Sequence, residues 1–352
     1  MSSNIQVQPR NIALDVIKGL CIILMVIGHS GAPRGLCQMI GTFNMPAFFI
    51  ISGFLLKTRY LSDIKTFCSR KLLTIWWPFF KWTLIYIVLH NLMHALSLYS
   101  ESYSLKEGAM HVVKGFFMIS TEQLLGGFWF LTSLLFASMV SILYLRLTGI
   151  SRKSLLWGIG GALAIACLLA IDGVPSVLYF NSLNFQATAF FLTGTLIATG
   201  NLHMQARRTP AVIAALCAIT IGTFWVRGAM TRNDIFQIIP YYLTASIITW
   251  GLIVVFWPVS PAGGWKYIVK IGNRTLDILI FHFLAFKLVT WMRVVWHDLP
   301  VETMAEFPVI GFKDKSIPAT DLHWILYTIV GIIIPLAISY GLDFTKQRLT
   351  RK

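Results

Sequence analysis

Charged side chains are scarce in this sequence. They make up 12% of its 352 residues, whereas soluble proteins average about 25%. Acidic residues are especially few, with 14 Asp and Glu against 29 Lys and Arg, so the formal net charge is +15. Hydrophobic residues reach 56%, which argues against a soluble domain and predicts a chain embedded largely in a lipid bilayer. We expect no nucleic-acid partner, because the basic residues of a membrane protein first reflect its topology.

No pair of closely spaced cysteines and no run that resembles a cleavable signal peptide is recognisable in this sequence. The five cysteines are scattered, with no CxxC pair and no metal-ligand spacing, so we expect neither a disulfide framework nor a metal centre. The first apolar run contains Asp15 and Lys18, and no small-residue cleavage pattern follows it. We therefore predict one integral-membrane domain over residues 1–352, with short cytoplasmic tails at 1–11 and 344–352.

Apolar runs long enough to cross a bilayer are abundant in the chain. A spanning helix needs about 20 such residues, and ten runs are candidates. They are centred on residues 12–30, 37–56, 72–98, 124–146, 154–171, 185–200, 210–226, 237–257, 275–296 and 322–343. Lys and Arg concentrate in every second loop, which by the positive-inside rule places both termini in the cytoplasm. The predicted fold class is all-α, a polytopic membrane helix bundle of about ten transmembrane helices.

Lys18 and His29 are ionisable residues inside the first apolar run. At about 100° per residue, their spacing places them within roughly 20° of the same helix face and about 16 Å apart along the axis. Ionisable residues within a span are costly and mark candidate functional sites. Asp15 lies three residues before Lys18 and can pair with it on the same helix, which by itself would explain why both are tolerated.

Five sequence blocks carry a family resemblance. In chain order they are LDVIKG followed by GHS within residues 14–30, FNMPAFFIISGFL at 43–55, Arg70-Lys71 followed by Pro78, FWFLTSLLF at 128–136, and IGNRTLDILIFH at 271–282. Together they resemble the acyltransferase-3 family of membrane-bound O-acetyltransferases, with the closer likeness to its fucose 4-O-acetylase-like branch. The resemblance implies an enzyme of the bacterial cytoplasmic (inner) membrane. Such an enzyme moves an acyl group, usually acetyl from acetyl-CoA, to a hydroxyl of a cell-surface polysaccharide or lipid-linked glycan precursor.

The signature of this family is a basic residue, ten intervening positions and a histidine, which Lys18 and His29 match, and the resemblance implies that both are catalytic residues. We predict His29 as the general base that removes the hydroxyl proton, since an imidazole with a pKa of about 6.5 suits this step. An acyl-histidine intermediate stays open as a second route. Many relatives have Arg where this chain has Lys18. A lysine ammonium cannot make the two-pronged phosphate contact of a guanidinium, although it still acts as a point charge.

The remaining candidate residues are assigned around this pair. For binding the phosphates of acetyl-CoA we predict Lys18, Arg70 and Lys71, with ordinary positive-inside topology as the alternative for the latter two. For substrate binding we predict Asn44, Glu122, Trp129 and His282, and for structural support Asp15, Asn273 and Arg274. Glu122 is predicted to orient His29 or the acceptor. Trp129 either stacks on a sugar or belongs to an aromatic belt, and His282 is either a substrate contact or a packing residue.

Two alternative interpretations are considered. One gives the whole chain a different function, and the other places a metal site on one helix. A glycan or small-molecule transporter or flippase also uses kinked spans and buried charges, but the paired halves typical of such folds are not recognisable. His90 and His94 are one helical turn apart and could share a metal, yet the His-Glu pattern of zinc hydrolases is missing, so we expect no metal. A homodimer is left open as a partner.

Overall fold

The computed structural model describes residues 11–172, 174–231, 234–257, 264–311 and 322–350. Within these ranges the chain is helical and contains no β-strand. The helices are α1 (Ile12–His29), α2 (Arg34–Gly41), α3 (Asn44–Phe54), α4 (Ile64–Lys71), α5 (Trp77–Ala95), α6 (Leu105–Phe116), α7 (Trp129–Thr148), α8 (Arg152–Leu168), α9 (Ser182–Thr199), α10 (Leu202–Gln205), α11 (Arg208–Ile221), α12 (Ile235–Phe256), α13 (Trp265–Gly272), α14 (Thr275–Trp296) and α15 (His323–Thr350). The predicted all-α membrane bundle is confirmed.

Among the described residues, eight helical stretches are long and apolar enough to cross a membrane. The predicted fifth and sixth spans correspond to α8, with 17 residues, and α9, with 18. Helix α9 carries Asn184, Gln186 and several threonines, and almost all of its side chains are buried between neighbouring helices. Protein surrounds these polar groups, so α9 does not need the hydropathy of a lipid-facing span. The total of ten spans stays a prediction.

The predicted second span, residues 37–56, is not one helix. Helix α2 ends at Gly41 and α3 begins at Asn44, with Thr42 and Phe43 between them. Pro46 explains the break, because proline has no N–H to continue a helix and is tolerated only in the first turn. The break turns the start of α3 inward, where Asn44 is buried.

Helix α1 lies at the centre of the bundle and contacts α3, α12, α13, α14 and α15. Two glycines from the family blocks allow its crossing with α13. A Cβ atom on Gly272 would lie 1.9 Å from the carbonyl oxygen of Asp15, and one on Gly19 would lie 2.3 Å from that of Ile268. No side chain fits at such distances. The two blocks are therefore in contact through their backbones.

The substitution Gly272→Ala is expected to lower the free energy of unfolding by about 3 kcal/mol, because the methyl group forces α13 away from α1. Thermal unfolding of the detergent-purified protein measures this as a lower midpoint. Gly161→Ala is the matched control, since no described atom lies within 4 Å of the added Cβ and alanine favours the α8 helix. Equal midpoints for the two variants would contradict the backbone contact.

Two buried cations on α14 hold the following loop against the bundle. Lys287 donates from Nζ to the carbonyl oxygens of Met304 at 2.6 Å and Glu306 at 2.8 Å. Arg293 donates to the carbonyl oxygen of Ile310 at 3.2 Å. These bonds satisfy charges that would otherwise be buried without partners. Lys287 and Arg293 both lie within the predicted span 275–296. These hydrogen bonds give the two cations a structural role there.

The predicted tails are only partly covered by the structure. Residues 1–10 and 351–352 lie outside the described residues. At the other end of the chain, α15 continues to Thr350, so residues 344–350 extend the last helix. Lys346, Gln347 and Arg348 are polar residues in this extension.

Candidate functional site

A histidine pair forms the centre of the candidate site. Asn11 caps α1, with its side-chain oxygen accepting from the Leu14 N–H at 3.4 Å, and the helix runs unbroken to His29. There, His29 Nδ1 lies 3.2 Å from Nε2 of His282 on α14. The two ring planes are inclined by 18°, with the ring centroids 5.4 Å apart. His282 is completely buried, whereas His29 is partly exposed.

The hydrogen bonds of this pair define where its protons lie when both rings are neutral. His282 Nδ1 is 3.0 Å from the carbonyl oxygen of Ile278 and 3.1 Å from that of Leu279. Carbonyl oxygens only accept, so Nδ1 carries the hydrogen and Nε2 carries the lone pair. His29 must then donate from Nδ1 to His282 Nε2. This leaves His29 Nε2 unprotonated, the form that a general base or a nucleophile requires.

His29 lines a cavity of about 180 Å³, the histidine cavity, whose wall includes Met25, Asn44, Met45, Gly127, Trp129, Tyr241 and Leu279. The structure thus brings Asn44 and Trp129, two predicted substrate-binding residues, to the same cavity as His29. His282 is not among the described residues of its wall. The face of α14 that carries His282 packs behind His29 and leaves it no exposed surface, so the structure places this residue against His29, and its predicted contact with substrate stays a prediction.

Lys18 lines a second cavity of about 190 Å³, the lysine cavity. Its Nζ is 2.6 Å from Asp15 Oδ1, so the pairing suggested by their spacing is present. The side chains of Met25, Met45 and Leu279 line both the lysine cavity and the histidine cavity. The two cavities are therefore neighbours, separated by one layer of side chains, along the α1 face that carries Lys18 and His29.

The other two predicted donor-binding cations lie outside the lysine cavity. Arg70 donates from Nη1 to the Tyr60 hydroxyl at 3.1 Å. Lys71 Nζ lies over the rings of Phe67 and Phe191, 5.5 and 5.9 Å from their centroids. Residues one turn further along, such as Thr74, do line the cavity. Of the three cations, the described wall includes Lys18 alone.

Glu122 contacts His90 and Tyr103 and not His29, so of its two predicted roles the one towards the acceptor stays a prediction. Its Oε2 lies 2.7 Å from His90 Nδ1, and its Oε1 accepts from the Tyr103 hydroxyl at 3.3 Å. Burial and then the Glu122 carboxylate raise the pKa of Tyr103, which keeps this phenol protonated as a donor. Glu122 precedes the 3₁₀ segment Gln123–Phe128. It therefore anchors the chain just before Gly127 and Trp129 reach the histidine cavity.

Both ring nitrogens of His90 face acceptors. Nε2 lies 3.0 Å from the carbonyl oxygen of Glu101, opposite the contact with Glu122. The rings of Tyr99 and Tyr103 stack on His90 with centroids 4.3 and 3.4 Å away. Both ring nitrogens of His90 are thus engaged by groups of the protein itself, and no group of three or more potential metal ligands occurs among the described residues. Sequence reasoning missed this pair because its members are 32 positions apart.

Arg274 joins two helix ends. It forms an ion pair with Asp343 on α15, lies 3.6 Å from Asp277 on its own helix, and stacks on the Tyr340 ring at 5.2 Å. Asn273 immediately precedes it and ends α13, with its N–H bonded to the Val269 carbonyl oxygen at 3.0 Å. Both residues connect α13, α14 and α15. Neither is among the described residues that line the two cavities.

Comparison with known protein families gives one match. The model of the acyltransferase-3 family, described as an acyltransferase domain, matches residues 11–343 and therefore spans every element of the site. Searches among curated proteins and among solved structures gave no match. The eight apolar helical stretches make the chain a multi-pass membrane protein. The chain thus belongs to the acyltransferase-3 family and is an acyltransferase.

Proposed function

We propose that this protein transfers an acetyl group from acetyl-CoA to a hydroxyl of a cell-surface polysaccharide or lipid-linked glycan precursor in the bacterial cytoplasmic membrane. The observation that carries the proposal is the hydrogen bond from His29 to His282, which leaves His29 Nε2 unprotonated in a cavity. The likeness to the fucose 4-O-acetylase-like branch supports a sugar hydroxyl as the acceptor.

In the proposed reaction, His29 Nε2 removes the hydroxyl proton as the acceptor oxygen attacks the thioester carbonyl. The carbon–sulfur bond then breaks, and the imidazolium returns the proton to the leaving CoA thiolate. The products are an acetyl ester and CoA with a free thiol. Throughout, His29 Nδ1 keeps donating to His282, which holds the ring in one orientation. In the acyl-histidine route the same Nε2 attacks the thioester, so both routes need this hydrogen-bond arrangement.

The lysine cavity is the proposed path of the donor. Lys18 supplies a positive charge for a phosphate of CoA, and the adjoining histidine cavity receives the thioester. Met25 and Met45 lie between the two cavities, and unbranched methionine side chains can move to admit the pantetheine arm. Arg70 and Lys71 lie shortly before Thr74 in the sequence, and Thr74 lines the lysine cavity. Their charges make the electrostatic potential near this cavity more positive.

Neutralising the Lys18–Asp15 pair tests this path. In the double variant Lys18→Gln/Asp15→Asn we expect the KM for acetyl-CoA to rise about tenfold, because one charge-assisted contact is lost. The kcat should stay within about twofold, since the double change leaves no unpaired buried carboxylate. Steady-state kinetics measure both constants. Lys153→Gln, an exposed residue outside the described cavity walls, is the control. An unchanged KM in the double variant would remove Lys18 from donor binding.

The activity itself is tested with the purified full chain in lipid nanodiscs and radiolabelled acetyl-CoA. We expect label to move to a glycan fraction from the source cells and to be released by mild alkali, as an ester is. Mass spectrometry of surface glycans should show O-acetyl groups only in cells that express the chain. Uptake of glycan into vesicles without acetyl transfer would contradict the proposal and favour a transporter.

A further inference from the structure

Trp129 borders a second space besides the histidine cavity. This polar cavity has a volume of about 210 Å³. Its wall includes the hydroxyls and amides of Ser120, Thr121, Thr132, Ser133, Asn181 and Asn184. Since Trp129 lines both spaces, a ligand group in the polar cavity lies next to the cavity of His29. The lysine cavity meets the histidine cavity elsewhere, through Met25, Met45 and Leu279.

The wall of the polar cavity is uncharged. No Asp, Glu, Lys, Arg or His is among the described residues that line it, and burial raises the pKa of Tyr179, so this phenol stays neutral. The Ser120 hydroxyl oxygen is buried and has no hydrogen-bond partner among the described residues. The other hydroxyl and amide side chains of this wall can both donate and accept hydrogen bonds. Hydroxyls, amides and the Trp129 ring are the groups that bind an uncharged sugar ring.

An apolar cavity of about 340 Å³ continues from the polar one. Met118, Thr132 and Tyr179 line both. Beyond these three residues the described wall is aromatic or aliphatic, with Trp76 and Phe116 on one side and Leu135 and Met139 on the other. Phe116 is exposed on the surface of the membrane bundle. The apolar cavity therefore suits a hydrocarbon chain that reaches it from the lipid.

We propose that the acceptor site has two parts: the polar cavity binds an uncharged glycosyl unit, and the apolar cavity binds the hydrocarbon chain to which that unit is attached. The identification of this ligand as the acceptor rests on the proposed function. The boundary formed by Thr132 and Tyr179 lies at the junction between sugar and chain. Trp129 then holds the sugar so that one hydroxyl faces the histidine cavity. The protein accordingly modifies the sugar while it is attached to a neutral lipid.

Photolabelling tests the two-part site without requiring catalysis. The probe is decyl β-glucoside with a diazirine at the end of its chain, added to the full protein in phosphatidylcholine nanodiscs. We expect the label on the α7 segment that contains Leu135 and Met139. Unlabelled decyl β-glucoside should suppress labelling at least tenfold. Decyl β-glucuronide, which differs only by a carboxylate, and free glucose should not suppress it at the same concentration.

Two variants on α7 give a matched comparison. Leu135→Trp fills the apolar cavity and should abolish labelling, whereas Leu143→Trp, at an exposed position outside the described cavity walls, should label like the unmodified protein. Equal suppression by glucoside and glucuronide, or equal labelling of both variants, would overturn the two-part site. The experiment is repeated with His29→Ala. That variant should label like the unmodified protein, because binding does not require the base. In the unmodified protein, selective labelling without acetyl transfer would refute the proposed function alone, and acetyl transfer with unselective labelling would refute this inference alone.

Discussion

Replacing His29 with alanine is expected to lower the rate of acetyl transfer about 10³-fold, the typical contribution of a positioned general base. The substitution removes the only described imidazole that lines the histidine cavity. Folding should be largely retained, because His29 lies at the end of α1 and is partly exposed. Transfer from radiolabelled acetyl-CoA measures the effect.

The control for His29→Ala is His94→Ala, which removes a partly exposed imidazole outside the described cavity walls. This variant should transfer acetyl at the unmodified rate. Thermal unfolding midpoints of the two variants should agree within a few degrees, so that loss of activity cannot be attributed to loss of fold. A His29→Ala rate within tenfold of the unmodified rate would exclude both the general-base and the acyl-histidine roles.

The substitution His282→Leu is expected to lower kcat about 10²-fold and to leave both KM values within about threefold. Leucine cannot accept the His29 Nδ1 hydrogen, so the His29 ring can rotate and exchange tautomers. Both substrates still bind, since His282 is not among the described residues that line the cavity. Steady-state kinetics with each substrate varied in turn separate the two constants.

His282→Gln distinguishes positioning from packing. A glutamine amide can donate to the Ile278 carbonyl and accept from His29 at the same time, so this variant should recover part of the lost kcat. If His282 only fills space, leucine and glutamine should differ in unfolding midpoint but not in kcat per folded molecule. Unchanged kcat in His282→Leu would show that the hydrogen bond is not needed for catalysis.

The arrangement of the cavities gives the two substrates different approaches to one imidazole. The lysine cavity meets the histidine cavity at Met25, Met45 and Leu279, and the polar cavity meets it at Trp129. In the predicted topology the first approach comes from the cytoplasmic half and the second from the outer half of the bilayer. In the proposed reaction, a charged donor from the cytoplasm and an acceptor from the other side would therefore meet at His29 without either crossing the bundle.

The proposed role of Lys18 as a point charge for a phosphate of acetyl-CoA suits its setting. Lys18 is paired with Asp15 at 2.6 Å on the same helix and lines the lysine cavity. A single ammonium that is paired with a carboxylate attracts phosphate by its charge, but it cannot bind phosphate through two parallel hydrogen bonds. Its contribution is therefore expected in the KM for acetyl-CoA, whereas that of His29 is expected in kcat.

Local sequence was sufficient for the helical class and for the alignment of Lys18 with His29. Lipid offers no hydrogen bonds to the backbone, so long apolar runs must form helices. Within one helix, the period of 3.6 residues determines which side chains share a face, as the Asp15–Lys18 pair also demonstrates. The break between α2 and α3, by contrast, became evident only in the folded chain, because residues 37–56 form one apolar run in the sequence.

Tertiary packing alone decided the partners of the key side chains. His29 and His282 are 253 positions apart, and His90 and Glu122 are 32 apart, so no helical period relates the members of either pair. In lipid, apolar helix faces are similar to one another and carry little information about which helices meet. Contacts such as that of Gly272 with the Asp15 backbone select the neighbours of α1 instead. The sequence could therefore predict His29 as the base. The hydrogen bond between His29 and His282 became apparent only from the packing of α14 against α1.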